Sequence, residues 1–149
     1  YYGRFRPLSM AEEEEWYEKH LKDDNQFIFA IDLEGKHIGN CGFFNIDRPN
    51  RQAELIILIG EKELWDKGLG TDAVNTLLHY GFEQMNFHRI YLKIFEPNQR
   101  AIRCYEKCGF VHEGSEREAQ FRHGRYMDLL VMSILEQEFK ARREREGEG

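Results

Sequence analysis

Apolar and polar positions alternate along the chain in a way that predicts a buried strand and a following helix at its centre. Residues 53–60 contain an unbroken run of leucine and isoleucine, which is typical of a strand covered on both faces. From residue 71 to about 86, large apolar side chains recur at the spacing of one helix face. We therefore expect a buried strand that leads through a polar bend into an amphipathic helix.

The segments before this unit predict a helix and a hairpin. Ser9 and Glu12 have the spacing of a capping box, so a helix is expected over residues 10–21. Residues 27–31 and 36–44 are apolar and are separated by a short turn containing glycine, which predicts two antiparallel strands.

The segments after the central helix predict the rest of the sheet. Residues 89–95 alternate as a strand does, and the crossover helix before them implies that this strand runs parallel to the central one. Asn98 is placed to cap a helix over residues 99–107, which Gly109 would close. Two further strands are expected over residues 110–117 and 126–135.

Length and composition favour a single folded domain. The chain has 149 residues, and we expect one domain over 1–149 with a charged, frayed tail from about 137. The net charge of −6 argues against a nucleic-acid partner. No apolar run approaches the length of a membrane span. Three cysteines without a paired motif favour reduced thiols and a cytoplasmic location.

A glycine pair at the start of the central helix suggests a phosphate site. Gly68 and Gly70 allow main-chain N–H groups to approach an anion, the helix start supplies unpaired donors, and Lys67 adds a charge. Glycines also punctuate loops for backbone reasons alone. With Ala73 and Glu96 the pattern further matches a dinucleotide fingerprint, but only one strand–helix–strand unit is clear, which argues against an oxidoreductase.

Two motifs carry a family resemblance that covers about residues 27–135. Residues 98–110 resemble the Asn-x-x-Ala-x-x-x-Tyr-x-x-x-Gly-Phe signature of the GNAT acetyltransferase superfamily, and residues 65–71 resemble its pyrophosphate loop. The match is to the branch of the ribosomal-protein N-terminal and spermidine N-acetyltransferases. Trp65 stands where the loop usually has Gln or Arg. The chain is also short for the family's first strand and helix, which we expect to be absent.

The resemblance implies a mixed α/β fold with a twisted sheet, flanking helices and a central parallel strand pair that splays apart. It also implies that acetyl-CoA binds as co-substrate, with its pantetheine arm along the central strand and its pyrophosphate at the helix start. The residues this assigns to the cofactor are Ile57, Leu58, Ile59, Trp65, Lys67, Gly68, Leu69, Gly70, Thr71, Asn98 and Arg103. A sheet edge left uncovered would favour a homodimer.

Two residues are candidates for the proton transfers. An alkylamine acceptor is mostly protonated at neutral pH, and deprotonating it costs roughly 4 kcal/mol, so a base is needed. Glu54, at the start of the central strand, is our candidate, although it also suits a solvent-facing strand end. Tyr105 matches the family's residue that eases departure of the thiolate, and a core aromatic is its alternative.

The function expected is acetyl transfer from acetyl-CoA to a primary amine by direct attack in a ternary complex. The acceptor stays open between a protein N-terminus, a polyamine, an aminosugar and an aminoglycoside. The alternative is a catalytically silent module that binds coenzyme A or a nucleotide. No metal is expected, because Cys104 and Cys108 lie one helical turn apart without further ligands nearby and suit core positions.

Overall fold

A computed structural model describes residues 25–59, 68–95 and 98–147. This part of the chain folds into six strands and three helices, with a five-residue π-helical turn extending the first helix. In order they are β1 (Phe27–Leu33), β2 (Lys36–Asp47), β3 (Gln52–Ile59), α1 (Leu69–His79), the π turn (Tyr80–Gln84), β4 (Arg89–Phe95), α2 (Gln99–Lys107), β5 (Val111–Arg122), β6 (Arg125–Leu135) and α3 (Glu136–Gly147). The helix expected over residues 10–21 lies outside the described residues.

The strands form a mixed sheet in the order β1-β2-β3-β4-β6-β5. Every neighbouring pair is antiparallel except β3 and β4. These two parallel strands pair only from Gln52 opposite Arg89 to Glu54 opposite Tyr91. Beyond Glu54 they separate, which confirms the splayed central pair.

The helices cover one face of this sheet. Ala53, Leu55 and Ile57 belong to a buried cluster that includes side chains of α1, α2 and α3. Ile56 and Leu58 instead pack with Phe44 in a smaller cluster. Because side chains alternate along a strand, the second cluster lies on the opposite face of the sheet.

The predicted bounds of the helices and strands agree best with the structure around α2. The bounds of β4 and α2 are those expected, and Asn98 caps α2 by accepting a hydrogen bond from the main-chain N–H of Ala101 at 3.2 Å. Gly109 follows the helix with φ of +101°, a left-handed conformation that favours glycine. The strand expected to end near residue 117 continues to Arg122.

The charged tail forms α3 instead of the frayed segment expected. Phe139 is buried and stacks on Phe82 with their ring centroids 4.9 Å apart. Arg142 donates hydrogen bonds to the carbonyl groups of Cys108 at 2.6 Å and Lys107 at 2.5 Å. An aromatic anchor, the guanidinium groups of Arg142 and Arg143, and the carboxylate of Glu136 therefore attach a highly charged helix to the rest of the fold.

Candidate active site

The start of α1 presents main-chain donors. Gly68 has φ of +81° and makes no side-chain cap, and the first helical hydrogen bond runs from the N–H of Asp72 to the Gly68 carbonyl at 3.0 Å. Among the described residues, the N–H groups of Leu69, Gly70 and Thr71 therefore have no acceptor. A helix N-terminus of this kind suits an anion such as a diphosphate. The predicted Trp65 and Lys67 lie outside the described residues.

The edge of β3 that faces β4 is open where the two strands separate. Ile57, Leu58 and Ile59 pair with β2 on their other edge, opposite Cys41, Asn40 and Gly39 respectively. No described strand pairs with them on the β4 side. Such an edge accepts an extended chain as an added strand, which is the binding mode predicted for the pantetheine arm.

Asn98 and Arg103, the two predicted cofactor-binding residues at α2, contribute less to the surface around β3 and the start of α1. The Asn98 side-chain oxygen is used in capping α2, and Arg103 is exposed on the same helix. The described side-chain contacts with the start of α1 come instead from Cys104, whose Sγ lies 3.5 Å from Oγ1 of Thr71, and from Cys108, whose Sγ lies 3.9 Å from the Thr71 carbonyl oxygen. Cys108 is buried in the core, as predicted, and Cys104 packs at the border of the core.

Tyr105 lies fully buried on the helix-covered face of the sheet. Its side chain is 0% exposed, and its ring packs edge-on against Phe110 at 5.5 Å between centroids. Burial, followed by the nearby Cys104 and Cys108, raises the pKa of the phenol well above its ordinary value. The hydroxyl therefore stays protonated at neutral pH, so it carries a hydrogen that it can donate.

Glu54 is a buried carboxylate at the last paired position of the parallel strands. It is 1% exposed, so the solvent-facing alternative is wrong. Oε1 accepts a hydrogen bond from Nδ2 of Asn45 at 2.8 Å, and no described residue bonds to Oε2. Burial raises the pKa of Glu54 to about 7, while Asn45 and the charge of Lys93 act in the opposite direction. A carboxylate with this pKa is a suitable general base near neutral pH.

Glu54 and Tyr105 lie on opposite faces of the sheet. Glu54 alternates with Ala53 and Leu55, which belong to the same helix-side cluster as Tyr105. Groups on opposite faces can serve one reaction only through an opening in the sheet. The separation of β3 and β4, which begins directly after Glu54, provides such an opening.

A polar cavity of about 430 Å³ lies on the same face of the sheet as Glu54, and Gln52 and Tyr91 separate Glu54 from it. Its wall includes Gln52, Arg89, Tyr91, Lys93, Glu113 and Glu116. Two ion pairs cross it: Arg89 to Glu113 at 2.6 Å and Lys93 to Glu116 at 3.2 Å.

These polar residues were not found from the sequence. Asn45 interrupts an apolar strand, and Lys93 is a charged residue within a predicted buried strand. Both could therefore have been recognised as unusual from the sequence. Glu113 and Glu116 could not have been recognised from the sequence, because a β-bulge between His112 and Gly114 is what brings both side chains to the same cavity.

The part of the chain that the structure describes has no group of three or more His, Cys, Asp or Glu side chains that could hold a metal ion. It also has no helix whose length and apolar character would allow it to cross a membrane.

Comparison with known proteins agrees with this geometry. The chain is 37% identical to the spermidine N(1)-acetyltransferase of Vibrio cholerae over 137 residues, which are 91% of this chain and 79% of that protein. It is 31% identical to the spermidine N(1)-acetyltransferase of Escherichia coli K12 over 132 residues, 89% and 70% of the two chains.

Solved structures give the same result for the fold. The crystal structure of the Vibrio cholerae spermidine N-acetyltransferase in complex with CoA and spermine superimposes with a TM-score of 0.76 at 36% identity, covering 89% of this chain and 79% of that one. Residues 1–111 match the family model described as an acetyltransferase (GNAT) domain. The sequence resemblance is thereby confirmed, and the chain belongs to the GNAT acetyltransferase family.

Proposed function

We propose that this protein transfers the acetyl group of acetyl-CoA to a primary amine of an aliphatic polyamine, by direct attack within a ternary complex. The observation that carries the proposal is the position of Glu54, a buried carboxylate with a pKa of about 7 where the parallel strands separate. The spermidine acetyltransferases among its relatives support the polyamine class.

The proposed reaction divides the proton transfers between two residues. Glu54 removes a proton from the acceptor ammonium, and the freed nitrogen attacks the thioester carbonyl carbon. The carbon–sulfur bond then breaks, and the thiolate takes a proton from the hydroxyl of Tyr105. The nitrogen loses its second proton as the amide forms, which allows Tyr105 to be reprotonated. General acid and base groups contribute typically 10²- to 10⁴-fold each in such steps.

The cofactor would bind along the surface between β3 and α1. Its pantetheine arm would pair with the open edge at Ile57, Leu58 and Ile59, and its diphosphate would accept hydrogen bonds from Leu69, Gly70 and Thr71. Lys67 and Trp65 would complete the loop, and Arg103 with the free amide nitrogen of Asn98 would face the cofactor's far side. The open strand edge and the free N–H groups support this arrangement.

The enzyme's domain organisation, location and assembly are part of the same proposal. We infer a single acetyltransferase domain over residues 1–149 that acts in the cytoplasm, which the three free cysteines Cys41, Cys104 and Cys108 support. A homodimer would use the outer edge of β1, which no described strand covers. Sedimentation velocity over a range of protein concentrations would test the dimer.

Release of free thiol from acetyl-CoA in the presence of different amines tests the activity. We expect release with spermidine and none without an amine. Gly70→Asp should abolish it, because Gly70 is buried in the first turn of α1 and an added carboxylate would repel the diphosphate. Absence of release with polyamines, monoamines and peptides alike, despite measurable acetyl-CoA binding, would favour the silent binding module.

A further inference from the structure

The polar cavity on the same face of the sheet as Glu54 has two ion pairs that differ in how firmly each is held. Arg89 bonds to Glu113 at 2.6 Å and to Oε1 of Gln52 at 2.9 Å, and its guanidinium lies 4.7 Å from the centre of the Tyr91 ring. Three separate contacts therefore fix the Arg89 side chain, and Glu113 is committed to it.

The second pair, Lys93 with Glu116, is more easily exchanged. Its N···O distance is 3.2 Å, and the side chain of Glu116 is 43% exposed against 25% for Lys93. Partly exposed pairs of this kind contribute little to stability, and an ammonium group is a flexible point charge without the fixed fork of arginine. Another ammonium of similar size can take the place of Lys93 on Glu116 at little cost.

The position of this pair relates it to the acceptor. Glu54 is paired with Tyr91, and Lys93 follows Tyr91 by two residues on the same face of β4. Lys93 is itself paired with Val131 of β6, and Val131 also lines the cavity. The exchangeable carboxylate of Glu116 thus lines a cavity on the same face of the sheet as the proposed base, and its charge acts on that base.

We propose that Glu116 is the specificity-determining residue for acceptors that carry a second ammonium group. In this proposal, which rests on the function proposed above, the reacting amine lies at Glu54 and the distal ammonium displaces Lys93 from Glu116. A monoamine leaves the Lys93–Glu116 pair intact and gains nothing from it. The cavity therefore selects diamines and polyamines over monoamines of the same length.

A matched pair of acceptors tests the selection. 1,4-Diaminobutane and n-butylamine have the same carbon chain and differ by one terminal ammonium group. At pH 8.5, where Glu54 is largely ionised, we expect the wild-type KM for the diamine to be about tenfold lower. Glu116→Gln should remove most of this difference by raising the KM for the diamine, with kcat for both amines changed by less than threefold.

Two further variants make the result specific. Glu118→Gln removes the same charge from β5 at a residue that does not line the cavity, and should keep the preference. Lys93→Met removes the competing ammonium and should lower the KM for the diamine by about threefold. Calorimetric titration of 1,4-diaminobutane into each protein gives a readout that does not depend on turnover, and thermal unfolding checks that each variant is folded.

The outcomes separate the two proposals. If Glu116→Gln leaves the diamine preference unchanged, or raises both KM values equally, Glu116 is not the determinant. If the wild-type enzyme acetylates both amines with the same KM, the selection is wrong while the acetyltransferase activity stands. If it acetylates no amine at all, the proposed function itself fails.

Discussion

The two faces of the sheet differ in chemistry although the same strands form them. On the helix-covered face, Leu55, Ile57 and Leu92 pack with Tyr105 in a continuous apolar cluster. On the other face, the same strands carry a buried carboxylate and a cavity crossed by two ion pairs. In the proposed function this difference becomes a division between a face that packs the helices of the cofactor site and a face that receives the acceptor. Four changes test this division.

Loss of the carboxylate on the acceptor face should have the largest effect. Glu54→Gln keeps an oxygen that can accept the hydrogen bond from Asn45, but it cannot take a proton. We expect kcat to fall about 100-fold with an alkylamine acceptor, in line with the loss of a general base. Initial rates at saturating acetyl-CoA measure this. A fall of less than threefold would remove Glu54 from the mechanism.

The same variant should be more stable than the wild-type protein at alkaline pH. Folding raises the pKa of Glu54 from 4.5 to about 7, so the folded state binds this proton more tightly than the unfolded state does. Stability therefore falls as the pH rises from 4.5 to 7, by on the order of 3 kcal/mol in all. Glu54→Gln should raise Tm at pH 8 and change it little at pH 4. An unchanged Tm at pH 8 would contradict a costly buried charge.

Removal of the hydroxyl on the helix-covered face should have the next largest effect. Tyr105→Phe keeps the packing against Phe110 but cannot donate a proton to the thiolate, so we expect kcat to fall at least tenfold. Affinity for acetyl-CoA should stay within twofold by calorimetry. Tyr126→Phe, at an exposed tyrosine of β6, is the matched control. Equal turnover of Tyr105→Phe and the wild-type enzyme would exclude Tyr105 as the proton donor.

A change at the start of α1, the proposed binding site of the diphosphate, should affect only the affinity for acetyl-CoA. Its effect should be smaller than the loss of kcat in the two variants above. Gly68→Ala places a side chain at φ of +81°, which strains the backbone by roughly 1–2 kcal/mol and should displace the free N–H groups of α1. We expect the Kd for acetyl-CoA to rise about fivefold. Gly35→Ala, in the β1–β2 turn with φ of +82°, carries a similar strain at a residue that is not assigned to the cofactor. A similar rise in Kd for both variants would show a general loss of stability instead.

Loss of the Lys93 charge should give the smallest effect, a shift in pH dependence. Lys93 lowers the pKa of Glu54, so Lys93→Gln should raise that pKa and move the acidic limb of kcat to higher pH. Lys107→Gln, at an exposed position of α2, should leave the limb in place. A shift to lower pH would contradict the arrangement of charges on the acceptor face.

The helix-covered face was largely predictable from the sequence. Periodicity located β4 and α2, and the Asn98 cap and Gly109 stop followed from local chemistry that tertiary contacts do not override. Residues 55–59 predicted a strand buried on both faces, as observed for those side chains that are described. Family motifs then indicated which of these positions carry the chemistry.

The acceptor face was not predictable to the same degree, because bulges in the strands build it. Asn45 adopts φ of +51° where the β2–β3 register shifts, and this places its amide against Glu54. Glu113 is the extra residue of a bulge in β5. Strict alternation cannot locate an inserted residue, so no sequence pattern brings these side chains together. The helix formed by the tail was not predicted for another reason. Phe139 is its one large apolar residue, so the tail has no apolar periodicity that would indicate a helix.

The contact between Arg142 and the end of α2 links the chain terminus to the reaction. Arg142 donates hydrogen bonds to the carbonyl groups of Lys107 and Cys108, at the end of the helix that carries Tyr105. Arg142 and Cys108 are 34 residues apart in the sequence. A shortened protein lacking the charged terminus would therefore lose a clamp on the phenol, and not merely a solubilising appendage. Under the proposed mechanism, a protein trimmed at this end should release the thiolate more slowly.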